Sequence, residues 1–428
     1  MTATYQILEG DVREQLATLP AESVHCCVTS VPYWGLRAYN TEPQVWADGW
    51  RGELGQEPTP DLYVAHMVEV FQAVRRVLRK DGTLWLNCGD SYATGAGRVG
   101  ECPGGGEQGE RWAGYRGTRD GSPKHTAGIG PMIQPNRMPL PGLKPKDLLL
   151  MPARLALALQ ADGWWLRSDI IWQKPTCMPG SQTDRPTSSH EHIFLLAKAE
   201  RYFYDRWAIA EPSAGGNHGT AASFRRTASA RGQVLQPGNT ATHRPDREEV
   251  CYDGPTRNAR DVWSIRSEAS PFEHYAAFPP ELPRRCILAG TSQAGVCPEC
   301  GAPWARVEGN REGVRPPKRT RHPEGQHPFD DYHGRTPTVR HLTGAWAPTC
   351  TCDAGSPVPA TVLDPFSGTG TTAAEALLLG RNGTGIELSP EYAEMSRTRC
   401  QAAANGRVLK RRRTEEIEGQ LSLEEVNL

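Results

Sequence analysis

Residues 361–380, TVLDPFSGTGTTAAEALLLG, are the stretch that most limits the possible folds of this chain. A short apolar run stops at a glycine-rich turn, an alanine-rich helical stretch follows, and a second strand-like run, GTGIEL, comes next. That order makes a βαβ unit, whose parallel strands need helices over the faces of their sheet. Gly368 and Gly370 let the backbone approach a ligand and expose amide donors at a helix start. The string GTGTTA fits the dinucleotide pattern G-x-G-x-x-G/A, and Glu387 falls about 20 residues on, where an acid holds a ribose. The spacing therefore predicts a nucleotide with a free ribose and leaves nicotinamide cofactors and S-adenosylmethionine both open. A phosphate-cradling P-loop is disfavoured, because no Gly-Lys-Ser/Thr follows. A glycine turn required only for packing is the bland alternative.

The rest of the chain supplies more of the same architecture. TPDLYVAHMVEVFQAVRRVLRKDG places Val64, Met67, Val68, Phe71, Val74 and Leu78 on one helical face and stops at Asp81-Gly82. TLWLNCGD then reads as a buried strand, KDLLLMPARLALALQADG as a helix, and WWLRSDIIWQK and HEHIFLLAKAERYFYD as strands. Three polar or Gly/Pro-rich stretches interrupt this pattern, at 93–144, 211–261 and 291–359. The second leans basic through Arg225, Arg226, Arg231, Arg244 and Arg247, and fraying is expected beyond Arg407. With a formal net charge of −1, the chain has no global positive field, so any nucleic-acid surface must be local. No leader or membrane-spanning run is evident, and a cytoplasmic protein is expected. In that compartment the 12 cysteines read as reduced thiols or metal ligands.

Upstream, the strand-like SVHCCV runs directly into TSVPYWGLRAY, residues 29–39. TSVPYW early and LDPFSGTGTT late resemble the S-adenosylmethionine-dependent amino-methyltransferases of DNA in the permuted (β) order: catalytic motif, target-recognition region, then cofactor motif. The resemblance implies a doubly wound α/β, Rossmann-like methyltransferase sheet with helices on both faces, and ligands at the carboxyl ends of its strands. In such enzymes Ser30 and the carbonyl of Val31 would accept hydrogen bonds from an exocyclic base amine, Pro32 would fix the turn, and Tyr33 would stack on a flipped base. Val31 stands where the family usually has a proline, which removes one fixed φ. Asp11, in ILEGDVREQL, corresponds to the acid that reaches the cofactor adenine. The segment containing His274, Phe278 and Pro279 corresponds to the part that holds the cofactor's methionine, and Asp364, Phe366, Gly368, Gly370, Thr371 and Glu387 complete the cofactor set. Trp34, Trp172, Lys174 and Arg185 are expected to contact DNA.

The implied activity is methylation of an amine in double-stranded DNA at a short sequence, alone or alongside a restriction endonuclease that cuts the same site. Ser30 favours N4 of cytosine over N6 of adenine. A catalytically silent zinc-containing DNA-binding protein and an NAD oxidoreductase are the rivals of other classes. The pairs Cys297/Cys300 and Cys350/Cys352 predict one structural zinc site, with His322, His327, His333 and His341 as competing ligands. That zinc would stabilise an insertion carrying the basic RPPKRTRHPEG. Cys26, Cys27, Cys88 and Cys286 read as core thiols. The expected layout is a catalytic half at 1–92, a Gly/Pro-rich insertion at 93–144, and the rest of the catalytic half at 145–210. A target-recognition region at 211–261, a methionine-holding segment at 262–290 and a zinc insertion at 291–359 follow. The cofactor half at 360–407 and a charged tail at 408–428 end the chain.

Overall fold

A computed structural model describes residues 2–35, 41–93, 143–144, 146–177, 183–212, 256–268, 270, 272, 278–312, 338–353, 355–411 and 423–427. Eight strands form the central sheet: β1 (Tyr5–Glu9), β2 (Val24–Ser30), β3 (Leu78–Cys88), β4 (Trp165–Gln173), β5 (His190–Ala197), β6 (Val262–Ser264), β7 (Thr361–Asp364) and β8 (Asn382–Glu387). They lie in the order β1-β8-β7-β2-β3-β5-β4-β6. Only β5 runs antiparallel to its neighbours, so the sheet is mixed and mostly parallel. Helices α1 (Val12–Thr18), α2 (Pro60–Val77), α3 (Met151–Ala161), α4 (Glu281–Gly290), α5 (Thr371–Leu378) and α6 (Pro390–Ala404) accompany it.

Alternation along the strands explains why both faces are covered. Cys27, Leu84, Leu86, Phe194 and Leu196 point into one core, with Tyr63, Met67 and Phe71 of α2 and Leu155 and Leu159 of α3. Their neighbours Cys26, Val28, Trp85, Ile193 and Leu195 point into a second core, with Leu282, Cys286 and Ile287 of α4. Side chains alternate sides along a strand, so a strand buried on both faces reads as one continuous apolar run. The four thiols expected in the core are there, free and buried.

Two helix boundaries differ from the sequence pattern. Thr59 caps α2 by accepting from the Leu62 amide at 3.2 Å, and Pro60 needs no donor in the first turn. The helix ends at Val77 rather than at Asp81, because Leu78 has already become extended (φ −70°, ψ 136°) and opens β3. A buried Leu78 satisfies either period, so the helical reading ran on into the strand. Val70 and Val77 are fully buried on α2, while Val64 and Val68 pack at its margin. In α3, Leu150 is left-handed (φ 54°) and Pro152 fits only the first turn, which sets the start at Met151 instead of Lys146.

Much of the first two insertions and the middle of the third lies outside the described residues, as do Arg225, Arg226, Arg231, Arg244, Arg247, the RPPKRTRHPEG stretch, His322, His327 and His333. In the third, Trp304–Glu312 and Thr338–Pro348 form an antiparallel ribbon apart from the sheet. Arg407–Arg411 pairs antiparallel with Leu423–Asn427, where fraying was expected. Among the described residues, no helix is long and apolar enough to cross a membrane.

Candidate active site

The parallel strands bring Ser30, Asp364 and Glu387 to one edge of the sheet, the carboxyl ends of β2, β7 and β8. A direct bond joins the end of β2 to the end of β7, just before the glycine turn: the Thr29 hydroxyl donates to Asp364 Oδ1 at 2.7 Å. The same oxygen accepts from the Phe366 amide at 3.1 Å, and burial pushes the Asp364 carboxyl up to about 6. Beyond it, Gly368 (φ 52°) and Gly370 (φ 79°) make the left-handed turn that opens α5. A Cβ on Gly370 would stand 2.4 Å from Ser396 Oγ and 2.9 Å from Ser396 Cα, so this position has no room for a side chain. The Glu387 carboxylate accepts from the Gly368 amide at 2.7 Å and the Ser389 amide at 2.9 Å. Burial raises it to about 7, and the two amides oppose that shift without cancelling it. Gly10 donates to the Glu387 carbonyl at 2.9 Å, which brings Asp11 to the neighbouring strand end. There Asp11 caps α1 and pairs with Arg13 at 3.0 Å.

The turn has a clamp that the sequence reading missed. Arg399 Nη1 donates to Thr371 Oγ1 at 2.6 Å and to Thr369 Oγ1 at 3.2 Å, holding the glycine turn from α6. Thr371 therefore has its hydroxyl engaged with Arg399. The helical period was the available signal: Ser396, Cys400 and Ala403 are the buried face of α6, and Arg399 lies beside them. The donor set suits a nucleoside cofactor: a half-buried carboxylate for a diol, with glycine backbone beside it. Phe278 and Pro279 are buried at the start of α4, while His274 lies outside the described residues.

At the end of β2, Ser30 is in register with Asn87 of β3. Val31 donates its backbone N–H to the Asn87 carbonyl at 3.4 Å, a bond that a proline there would lack. The Pro32 carbonyl accepts from the Tyr63 hydroxyl at 2.8 Å, and Tyr33 turns its own hydroxyl to Glu191 Oε2 at 2.7 Å. The four motif residues thus stand on the edge that holds Asp364 and Glu387.

A family model described as DNA methylase matches residues 24–297 and 353–398 of the chain. The chain belongs to this DNA methylase family. It is 33% identical over 395 residues to Type II methyltransferase M.SmaI of Serratia marcescens, covering 92% of this chain and 90% of that protein. Type II methyltransferase M.XycI of Xanthomonas campestris pv. cyanopsidis is also 33% identical, over 92% of this chain and 87% of the relative. The solved PvuII DNA methyltransferase (cytosine-N4-specific) overlays with a TM-score of 0.47 at 14% identity, covering 95% of this chain and 93% of that one. As a member of this family, the chain is an S-adenosylmethionine-dependent DNA amino-methyltransferase.

In this DNA methylase the residues expected to touch DNA divide. Trp34 is 6% exposed and donates its indole N–H to the Glu57 carbonyl at 2.9 Å; Trp172 is 4% exposed and donates to the Ile265 carbonyl at 2.9 Å. Both indoles are core groups with their one donor satisfied. Aromatic residues beside a motif give the same sequence signal whether they face a ligand or the core. Lys174 bonds to Glu191 and lies 4.4 Å over the Trp172 ring, while the Arg185 guanidinium stacks 3.8 Å from the Tyr92 ring.

Away from that edge, the Sγ atoms of Cys297, Cys300, Cys350 and Cys352 all lie within 4.8 Å of one another, a group able to hold a metal. His341, on the ribbon, is not among them. Hydrogen bonds from the Cys300 and Glu299 amides draw Cys297 down to about 7, whereas neighbouring thiols push Cys352 up to about 12. Ionised together, four sulfurs this close would repel one another, and a divalent cation at their centre would remove that repulsion. The knuckle docks on the sheet. Arg79 donates to the Cys300 carbonyl at 2.7 Å, and His25 spans the seam, accepting from the Thr361 amide at 3.0 Å while its Nε2 meets the Gly301 carbonyl at 3.1 Å. Burial holds the His25 imidazole down at about 4, so it is neutral with Nε2–H as the donor.

Proposed function

We propose that this protein methylates the exocyclic N4 amine of a cytosine flipped out of double-stranded DNA, at a short specific sequence, as the modification half of a type II restriction-modification system. The observation that carries the reading is the Thr29–Asp364 bond of 2.7 Å, which ties the strand ending at Ser30 to the strand that leads into the glycine turn. Serine at position 30 supports cytosine over adenine by the family pattern, and kinship with Type II methyltransferases supports the genetic setting and a partner endonuclease.

Glu387 would hold the cofactor's ribose, Asp11 the adenine, Gly368 and Gly370 would give the backbone room, and the Phe278–Pro279 segment would face the methionine. Bound there, S-adenosylmethionine supplies a methyl group on a cationic sulfur. A cytosine amine is a weak nucleophile because its lone pair is delocalised into the ring. Ser30 Oγ and the Val31 carbonyl accept its two N–H groups, which favours the pyramidal nitrogen that attacks. Tyr33 stacks on the extruded base and offsets part of the lost pairing energy. Holding both reactants in line supplies much of the rate. Region 211–261 is the candidate for target recognition, and the four cysteines are the candidate for a structural zinc.

Nucleoside analysis by mass spectrometry, after incubating DNA with S-adenosylmethionine, tests this. The parent protein forms N4-methylcytosine, and Ser30→Ala lowers turnover by about 100-fold or more while cofactor affinity changes little. Unchanged turnover in Ser30→Ala would sink the assignment of the site.

A further inference from the structure

Glu191 enters the site from β5, the one strand that runs against its neighbours, so its amino end reaches the edge where the parallel strands finish. Its side chain is 16% exposed. Oε2 accepts from the Tyr33 hydroxyl at 2.7 Å and from Asn87 Nδ2 at 3.1 Å, and Oε1 accepts from the Lys174 ammonium. Asn87 is itself fixed, since its Nδ2 also donates to the His192 carbonyl at 3.1 Å. Asn87 Oδ1 stands 3.1 Å from the same Tyr33 hydroxyl, but a phenol has one proton, and the nearer, charged oxygen is the stronger acceptor. Burial first, and the Glu191 charge second, hold the Tyr33 phenol well above its ordinary range, so it keeps that proton and donates it. On its other side the ring lies against Gly89, where a Cβ would be 2.5 Å from Tyr33 Cε2. Tyr33 is thus held at three points: its backbone by the Pro32 turn, one ring edge by Gly89 and its hydroxyl by Glu191.

We propose that Glu191 is a positioning residue for methyl transfer, acting through the Tyr33 hydroxyl to fix the plane on which the target base rests, with Asn87 and Lys174 holding the carboxylate in place. The inference rests on the reading of Tyr33 as the base platform. A stacking ring that rocks about its Cα–Cβ bond carries the base with it, and a displacement of about 1 Å at the reacting atom costs about 100-fold in rate. Valine in place of the family's usual proline sharpens the need. With one fixed φ gone from the turn, the hydroxyl anchor does more to set the ring.

The test is a double-mutant cycle on the single-turnover rate of methyl transfer to unmethylated genomic DNA, comparing Tyr33→Phe, Glu191→Ala and the two together, with Glu191→Gln as the conservative variant. Tyr33→Phe and Glu191→Ala each lower the rate by about 10- to 100-fold, the double variant is no slower than the slower single, and cofactor affinity by calorimetry stays within about twofold. Glu191→Gln keeps an oxygen for the phenol and recovers part of the rate. Multiplicative losses in the double variant, or a Glu191→Ala rate equal to the parent's, would overturn the proposal. So would a Glu191→Gln variant whose cofactor affinity falls in step with its rate, the mark of a general structural defect. Ser30→Ala is measured alongside. If it retains parental turnover, the reading of the site fails and takes the proposal with it; if it is inactive while the cycle is multiplicative, only the role of Glu191 is lost.

Discussion

Glu387 carries a pH dependence that follows from its surroundings. Its carboxyl is raised to about 7 in the folded chain against an ordinary value near 4.3. The folded state therefore holds this proton more tightly than the unfolded one, and the group's contribution to stability falls as pH rises through that interval, ending above about 7. A ribose diol donates to the ionised form, so cofactor binding must release a proton below pH 7. Affinity for S-adenosylmethionine should rise by up to about tenfold per pH unit as neutrality is approached, then level off. Calorimetry at pH 6.5 in two buffers of different ionisation enthalpy should give two different heats for the parent and one for Glu387→Gln. A parent heat independent of buffer would refute the role. Glu387→Ala should weaken binding by about 1.5–3 kcal/mol, the size of a charged hydrogen bond. At this scale the sequence singled out Ser30, Gly370 and Glu387 because the chemistry proposed for them restricts residue type. It was silent on Glu191, and for Arg399 the helical period gave a face but no partner, because an arginine in a helix and a glutamate in a strand have many uses and only the third dimension aims them.

Two glycines with nearly the same backbone show how the elements around the site are packed. Gly370 (φ 79°) starts α5 against Ser396 of α6, while Gly380 (φ 77°) ends the α5 region with open space where a Cβ would go. Left-handed strain alone costs an alanine about 1–2 kcal/mol, and overpacking adds about 1–3 kcal/mol. Gly370→Ala should therefore destabilise by about 2–5 kcal/mol and Gly380→Ala by only about 1–2 kcal/mol. Urea titration of both measures the difference, and equal losses would mean that α6 yields to the extra methyl. The βαβ unit was legible because its glycine turn, its alanine-rich helix and its buried strands each obey a local rule. The junction of α2 and β3 was not, since Leu78 fits both periods. Nor were Trp34 and Trp172, whose neighbours in space are Glu57 and Ile265, residues that no periodicity pairs with them.

At the scale of the molecule, the strand order places β2, which ends at Ser30, beside β7, although more than 300 residues separate them in the chain. His25 at the amino end of that seam and Thr29–Asp364 at its carboxyl end tie the two halves together, and the cysteine knuckle is docked on the first tie. If the four thiols form one structural site, metal analysis should find about one zinc per chain. Cys297→Ser should lose it together with thermal stability, and zinc-free protein of unchanged melting temperature would point to unliganded thiols. The motif order made the permuted arrangement readable from sequence, and the cysteine pairs were equally visible. The ribbon between them was not, because its polar alternation is weak beside the Gly- and Pro-rich residues that interrupt it. The central claim concerns the product, and the most direct measurement is to express the protein in a methylation-free bacterial host and read its genomic DNA by single-molecule sequencing. N4-methylcytosine at one short motif is the predicted result; N6-methyladenine in its place, or an unmodified genome from soluble, cofactor-binding protein, would contradict it.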